Sequence, residues 1–281
     1  MKCFSANDSI TITGVRDLDL EQTLDCGQSF RWTKQDDGSF SGVAFGKYVN
    51  ISLDGTDMII KNADEQDRGL WRGYFDLDLD YGKIREGISA IHPVLTEAAK
   101  YAPGIRILRQ EPYEALCTFI ISQNNNIARI KGIVQRLCEC CGERLPDGSF
   151  AFPTAEVMSR LSADDLAPLR AGFRTRYLLD AARRVSAGEV DLAFCETAPY
   201  EAARAELMKI TGVGVKVADC TLLFGMHRTE AFPLDVWMKR AMANLFPEIA
   251  PSAFGDCAGV AQQYIFHYSR MHPELFSKND N

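Results

Sequence analysis

The sequence predicts an α+β fold, in which an N-terminal antiparallel β-sheet domain is followed by a mainly helical region. Two patterns along the 281 residues indicate this order. Apolar and polar residues alternate between hairpin-type turns up to about residue 62, whereas apolar residues recur at helical spacing after about residue 95. Strands that come first in the chain, with helices after them, are typical of the α+β class.

The sheet domain is predicted over residues 1–95. Two segments alternate clearly between apolar and polar residues, namely 9–13 and 48–53. The sequences Asp36-Asp37-Gly38 and Leu53-Asp54-Gly55 are hairpin-type turns, so neighbouring strands should pair antiparallel. We interpret residues 63–95 as the crossover from the sheet to the helices.

The helical region is predicted over residues 96–281. Helices are expected at about 113–122, 127–141, 155–161, 176–187, 200–209, 215–224, 235–246 and 256–271. The helix over 127–141 is marked at both ends, because asparagines precede it as caps and Gly142 follows it.

The charge of the chain gives conflicting indications about a nucleic-acid partner. A net charge of −7 argues against one, because proteins that bind phosphates are usually basic. Residues 1–100 hold 11 basic and 17 acidic side chains, whereas residues 101–281 hold 20 and 21. Residues 124–136 contain no acid, and residues 170–184 contain five arginines and one aspartate. The helical region therefore has local basic patches, although a solvated helix face explains them equally well.

Several classes of protein are excluded by composition. The nine cysteines are an odd number, which favours reduced thiols inside the cell. Cys138, Cys140 and Cys141 lack the spacing of a metal site and cannot share one helix face, so no metal is expected. Residues 1–5 lead into no apolar signal segment, and no apolar run is long enough to cross a membrane. The bacterial cytoplasm is favoured, or the nucleus if the source is eukaryotic.

A Gly-x-Gly turn lies between two predicted helices. Gly212 and Gly214 allow a sharp turn and a close approach of the backbone to a ligand. Free N–H groups at the start of the following helix favour a phosphate. The pattern is typical of a helix-hairpin-helix motif at about 200–224, which binds DNA without reading its sequence. An ordinary tight turn between helices is the alternative.

Two residues near this turn suggest chemistry. Lys216 falls in the first turn of the second helix, where the helix dipole disfavours a cation and favours a nucleophilic amine. Asp235 falls at a predicted helix N-cap, where the dipole keeps the carboxylate ionised. Such a pair suits substitution at a carbon that develops positive charge. A surface lysine and a plain N-cap are the alternatives.

Several segments together resemble the 8-oxoguanine DNA glycosylase/lyase family of the helix-hairpin-helix DNA glycosylase superfamily. They are 26–32, 104–110, 122–130, 169–177, 210–216 and 233–236, in the family's order. The resemblance implies a bifunctional enzyme of base excision repair that needs no cofactor. Lys216 would attack the anomeric carbon of the deoxyribose and form a Schiff base that permits β-elimination. Asp235 would stabilise the oxocarbenium-like sugar.

The resemblance also implies which residues bind the flipped base. The carbonyl of Gly27 would accept the proton on N7 of 8-oxoguanine, because N7 of normal guanine is itself an acceptor. Cys220 and Phe266 would sandwich the base, and Gln262 would bind its Watson–Crick edge. Without the resemblance, Cys220 and Phe266 are expected in the core, and Gln262 has no assigned role.

A further group of residues would hold the rest of the duplex. Asn124, Arg129 and Arg174 align with groups that contact the opposite cytosine, and Phe173 aligns with a wedge that supports the kinked DNA. The expected substrate is double-stranded DNA with 8-oxoguanine opposite cytosine, bound by a monomer. The asparagine run could instead serve only to cap the helix over 127–141.

Two departures from relatives limit what the resemblance implies. Trp237 stands where better-known relatives carry a histidine near a DNA phosphate, and tryptophan cannot become cationic. Only Cys257 lies beyond Cys220, so the iron–sulfur cluster of some relatives is not expected. Two alternatives stay open, namely a related glycosylase for another damaged base and a non-catalytic helix-hairpin-helix DNA-binding protein.

Overall fold

The computed structural model describes residues 8–276 and contains a five-stranded antiparallel sheet followed by helices. This confirms the predicted fold class. The strands are β1 (Ser9–Ile12), β2 (Trp32–Lys34), β3 (Phe40–Ala44), β4 (Lys47–Asp54) and β5 (Asp57–Lys61), in the sheet order β1-β5-β4-β3-β2. Both predicted turns are present, one between β2 and β3 and one between β4 and β5. The expectation about secretion rests on residues 1–5, which lie outside the described residues.

All eight predicted helices are present. The α-helices are α1 (Leu20–Leu24), α2 (Arg68–Tyr74), α3 (Tyr81–Ser89), α4 (Pro93–Tyr101), α5 (Pro112–Ser122), α6 (Ile127–Cys141), α7 (Ala155–Ser159), α8 (Arg174–Ser186), α9 (Leu192–Thr197), α10 (Tyr200–Leu207), α11 (Val215–Met226), α12 (Val236–Leu245) and α13 (Ala258–Met271). Helix α6 has the predicted bounds, with Asn126 as its N-cap and Gly142 as its C-cap. Within residues 8–276, no helix is both long and apolar enough to span a membrane.

The N-terminal part is less purely strand than the sequence pattern predicts. Helix α1 lies between β1 and β2 because the side chain of Asp19 caps it, accepting a hydrogen bond from the backbone N–H of Gln22 at 2.8 Å. The predicted crossover over 63–95 is itself largely helical. Helix α4 runs across the predicted domain boundary at residue 95, so the division of the chain at that point stays a prediction.

The described residues form two hydrophobic cores, one over the sheet and one among the helices. Residues 105–110 pass between them. Ile105 and Ile107 pack into the helical core, whereas Leu108 packs into the sheet core. The Gln28 side chain fixes this segment, because its amide oxygen accepts from the N–H of Leu108 at 2.9 Å. Its amide nitrogen donates to the carbonyl of Arg106 at 2.7 Å. This segment therefore contributes side chains to both cores.

Helix α11 is attached to the sheet part of the chain at its C-terminal end. The carboxylate of Asp76 is buried and accepts hydrogen bonds from His227 at 2.9 Å, Tyr81 at 2.9 Å and Arg109 at 2.7 Å. Burial alone would raise the pKa of Asp76, but the hydrogen bonds from His227 and Arg109 lower that pKa below its usual range. His227 is the C-cap of α11, so this carboxylate holds the end of the helix.

Candidate active site

A cleft of about 290 Å³ lies among α5, α6, α11, α12 and α13. Four of the residues singled out in the sequence line it together, namely Gly27, Lys216, Asp235 and Phe266. They come from distant parts of the chain, and the packing of the helices brings them to one place. The cleft is therefore the candidate active site.

Lys216 reaches the cleft from the first turn of α11, as predicted. Helix α11 packs antiparallel to α5, so the start of α11 meets the end of α5 at Ser122. The Nζ atom of Lys216 donates to the hydroxyl of Ser122 at 3.2 Å and lies 5.2 Å from the ring centre of Phe119. Within residues 8–276 the amine forms no ion pair with a carboxylate, and its hydrogen bond goes to the Ser122 hydroxyl.

Asp235 occupies the N-cap of α12, also as predicted. Its side-chain oxygen accepts a hydrogen bond from the backbone N–H of Met238 at 2.7 Å. This bond fixes the carboxylate at the edge of the cleft. The helix dipole of α12 stabilises negative charge at that position. The cleft thus contains an amine that forms no ion pair among the described residues and a carboxylate that is held in place.

Gly27 and Phe266 lie against each other in the cleft. The ring of Phe266 comes within 3.4 Å of the position that a Cβ atom would take at residue 27. The loop of Gly27 is tied to α13, because the side chain of Gln263 donates to the carbonyl of Cys26 at 3.0 Å. The position of this loop is thus set by the helix that carries Phe266.

Cys220 and Gln262 are buried and do not line the cleft in the described structure. Burial raises the pKa of the Cys220 thiol to about 11, although nearby Lys216 lowers it, so the thiol is neutral at physiological pH. The side-chain oxygen of Gln262 has no hydrogen-bond partner within residues 8–276. Buried polar atoms are seldom left unpaired in folded proteins, so this oxygen is a candidate acceptor for a ligand.

The residues predicted to face the opposite base lie together beside α8. Arg174 is buried, and its guanidinium donates to the carbonyls of Gln123 and Asn124. Burial and the neighbouring charge of Arg129 lower the pKa of Arg174. The guanidinium also lies 4.4 Å above the ring of Phe173, which is 46% exposed. Four of its five N–H donors bond to backbone carbonyls, so Arg174 can offer a base more than one donor only by exchanging some of those hydrogen bonds.

The hairpin between α10 and α11 contains both predicted glycines. Gly212 has a φ of +82°, and a Cβ atom there would lie 2.4 Å from the ring of Tyr177. Gly214 is the N-cap of α11, and a Cβ atom there would meet nothing within 4 Å. The backbone of Thr211 donates to the Asp180 carboxylate at 2.7 Å, which fixes the hairpin to α8. The N-terminus of α11 is therefore open to a ligand.

The two glycines should respond differently to replacement by alanine. Gly212→Ala places a side chain against Tyr177 and forces an unfavourable φ, so we expect a loss of about 1–3 kcal/mol in the free energy of unfolding. Gly214→Ala should leave that free energy nearly unchanged. Its methyl group would instead obstruct a close ligand, so affinity for duplex DNA should fall. Denaturant unfolding and DNA titration of both variants measure the difference. Equal stability of the two would contradict this assignment.

The sequence analysis gave no site role to several lining residues, among them Phe119, Ser122 and Arg270. Arg270 lies four residues after Phe266, so helical spacing could have indicated it. Trp237 also lines the cleft, and its indole N–H donates to the hydroxyl of Ser269 at 2.8 Å.

Comparison with known proteins gives a consistent result. Residues 10–116 match the family described as 8-oxoguanine DNA glycosylase, N-terminal domain. Residues 117–252 match the HhH-GPD superfamily of base excision DNA repair proteins. The N-glycosylase/DNA lyase of Saccharomyces cerevisiae is 32% identical over 255 residues, which cover 80% of this chain and 67% of the yeast protein.

Two solved structures are similar over nearly their whole length. MBOgg1 in complex with a low-affinity DNA ligand has a TM-score of 0.91 and 40% identity, covering 96% of this chain and 98% of that one. The second is the 8-oxoguanine glycosylase/lyase of Clostridium acetobutylicum, in complex with double-stranded DNA containing cytosine opposite 8-oxoguanine. It has a TM-score of 0.89 and 38% identity, covering 95% of this chain and 97% of that one.

Proposed function

The chain belongs to the 8-oxoguanine DNA glycosylase family of the helix-hairpin-helix superfamily, and on that premise we propose that it excises 8-oxoguanine opposite cytosine and cleaves the resulting abasic site. The observation that carries the proposal is the cleft that Lys216 and Asp235 share with Gly27 and Phe266. We further propose that the protein acts as a monomer on double-stranded DNA inside the cell.

The proposed reaction begins at the deoxyribose. The lone pair of the Lys216 amine attacks C1′, and the electrons of the glycosidic bond leave with the base, which takes up a proton. The Asp235 carboxylate stabilises the positive charge that develops on the sugar. The bond from C1′ to the ring oxygen O4′ then breaks, the proton released from Nζ passes to O4′, and C1′ and Nζ form a Schiff base. Loss of a proton from C2′ breaks the bond from C3′ to its phosphate oxygen.

The proposed recognition of the lesion depends on one backbone acceptor. The carbonyl of Gly27 would accept a hydrogen bond from the N7 proton of 8-oxoguanine. In normal guanine N7 carries no proton, so N7 and the Gly27 carbonyl oxygen would be two acceptors that face each other. An unpaired buried polar group of this kind costs about 1–3 kcal/mol. The neutral thiol of Cys220 and the ring of Phe266 would lie on either face of the base. Gln262, whose oxygen lacks a partner, would bind its Watson–Crick edge.

The remaining residues would hold the DNA. Arg129 and Arg174 would donate to the opposite cytosine, supported by Asn124, while the exposed ring of Phe173 would fill the space beside it. The backbone at Gly212 and Gly214 would bind phosphate at the N-terminus of α11. The mutual repulsion of the two arginines in the free protein favours binding of an acceptor between them.

Borohydride trapping tests the proposal. The protein is mixed with duplexes that carry 8-oxoguanine opposite each of the four bases, and the covalent adduct is followed in time. We expect an adduct that forms fastest opposite cytosine. In the variant Arg129→Ala, the ratio of the trapping rate constant opposite cytosine to those opposite the other bases should fall. The decrease should correspond to about 1–3 kcal/mol.

Two controls make this result specific. A duplex with undamaged guanine should give no adduct, and a duplex with an alkylated adenine tests a related glycosylase specificity. Absence of an adduct on every 8-oxoguanine duplex would overturn the proposed activity. Faster trapping opposite adenine would overturn the roles given to Arg129 and Arg174.

A further inference from the structure

Arg270 is a cation in the lining of the cleft to which the proposed reaction gives no role. The lining residues include two cations, Lys216 and Arg270. Lys216 donates to a hydroxyl, as described above. Arg270 forms no hydrogen bond and no ion pair with any residue in the described range 8–276; its guanidinium only rests 5.3 Å from the ring centre of Phe266. Its donors are therefore available to a ligand.

The position of Arg270 on α13 indicates where in the cleft that ligand would lie. Gln262, Phe266 and Arg270 follow one another at intervals of four residues and share one face of the helix. Gln262 is 5% exposed, Phe266 is half-buried and Arg270 is exposed. This face therefore runs from the interior behind the cleft, past Phe266 in its lining, to the exposed Arg270. The Cα atoms of Gln262 and Arg270 are separated by about 12 Å along the helix.

Two other polar groups in the lining, the indole N–H of Trp237 and the hydroxyl of Ser122, are already engaged. The indole N–H of Trp237 donates to Ser269, so it does not point a free donor at the cleft. The hydroxyl of Ser122 donates to the carbonyl of Phe119 at 2.8 Å. A ligand that reaches this side of the mouth would therefore meet the guanidinium of Arg270, whose planar donors fit a phosphate in two-point contact.

We propose that Arg270 binds a backbone phosphate next to the flipped nucleotide and so holds that nucleotide in the cleft. The proposal rests on the proposed function. A nucleotide whose base reaches the buried Gln262 has its phosphates at the solvent end of the same helix face, where Arg270 lies. Phosphate is favoured over the base as the target because Arg270 is exposed, whereas the candidate base contacts Cys220 and Gln262 are buried and Gly27 and Phe266 are half-buried. Arg270 is thus a substrate-binding residue and takes no part in bond breaking.

Binding to a stable abasic-site analogue opposite cytosine tests this assignment without any excision. Arg270→Ala should bind this duplex about tenfold more weakly, which matches the loss of one charged hydrogen-bonding contact. The slope of log K against log salt concentration should fall by about 0.9, the value for one phosphate contact. Arg270→Lys should retain most of that slope because the charge is kept.

Arg240→Ala is the matched control. Arg240 also lies over an aromatic ring, that of Phe276 at 4.9 Å, and it does not line the cleft.

Each phosphate that flanks the lesion is then replaced, one at a time, by an uncharged methylphosphonate. At one position the replacement should weaken binding by the wild type and by Arg240→Ala, but not by Arg270→Ala.

The outcomes separate this inference from the proposed function. If the wild type traps 8-oxoguanine DNA but Arg270→Ala responds to every methylphosphonate as the wild type does, Arg270 binds no phosphate and the inference is wrong. A loss limited to 8-oxoguanine duplexes, with an unchanged salt slope, would also overturn it, because it would place the base against Arg270. If the wild type forms no adduct at all, the proposed function fails first. Thermal unfolding of Arg270→Ala should match that of the wild type, since the side chain is exposed.

Discussion

Replacement of Lys216 by glutamine should abolish the borohydride-trapped adduct and slow base release by about 10⁴-fold or more, the scale seen when a nucleophile is removed from a catalytic site. The amide of glutamine has no nucleophilic lone pair on nitrogen. Glutamine is nearly as favourable as lysine within a helix, so α11 should form normally. Trapping and single-turnover excision on 8-oxoguanine opposite cytosine measure the two effects.

Lys209→Gln is the matched control for Lys216→Gln. Lys209 lies in the same hairpin region, is exposed and pairs with Glu206 at 2.7 Å, outside the cleft. Its replacement should leave both trapping and excision close to those of the wild type. Adduct formation by Lys216→Gln would show that a different amine attacks the sugar, and the proposed mechanism would be wrong.

Replacement of Asp235 by asparagine should lower the rate of base release by about 10²–10⁴-fold while leaving the fold intact. Asparagine caps helices as well as aspartate does, so the bond from the N–H of Met238 can be kept. What disappears is the negative charge beside the sugar. Asp235→Ala would remove both the cap and the charge, and should lose a further 1 kcal/mol or so of stability.

Single-turnover excision and denaturant unfolding separate these contributions of Asp235. Asp191→Asn is the matched control, because Asp191 caps α9 in the same way, accepting from the N–H of Phe194 at 3.0 Å, and does not line the cleft. The excision rate and the free energy of unfolding of Asp191→Asn should both stay close to those of the wild type. If Asp235→Asn keeps full activity, the charge of Asp235 plays no part in the reaction, and the residue only caps α12.

The bounds of a helix were predictable where its capping residues and the spacing of its apolar residues both lie within or next to that helix. Helix α6 has its predicted bounds because Asn126 and Gly142 mark its ends and apolar residues recur between them. Helices α1 and α9, of five and six residues, were not predicted, although α7 is equally short and was predicted. The turn position of Lys216 and the cap position of Asp235 were predictable for the same local reason.

The convergence of side chains in the cleft was not predictable from local pattern. Ser122 meets Lys216 only because α5 and α11 pack antiparallel. Cys220 and Gln262 are buried like ordinary core residues, so only the resemblance to a family gave them roles. The hydrogen bonds of Arg174 to the carbonyls of Gln123 and Asn124 also depend on tertiary packing, and no spacing in the sequence indicates them.

The attachment of α11 to Asp76 has a consequence for how activity depends on the whole chain. Helix α11 has 12 residues, so its two ends are about 18 Å apart. The helix is bonded to Asp76 through His227 at one end and carries Lys216, the proposed nucleophile, near the other end. If Lys216 attacks the sugar as proposed, a shift of α11 caused by losing the bond to Asp76 would displace the amine from C1′, and misplacement by about an ångström is costly in catalysis. Substitution of Asp76, which does not line the cleft, would then lower turnover without removing a proposed contact to the substrate.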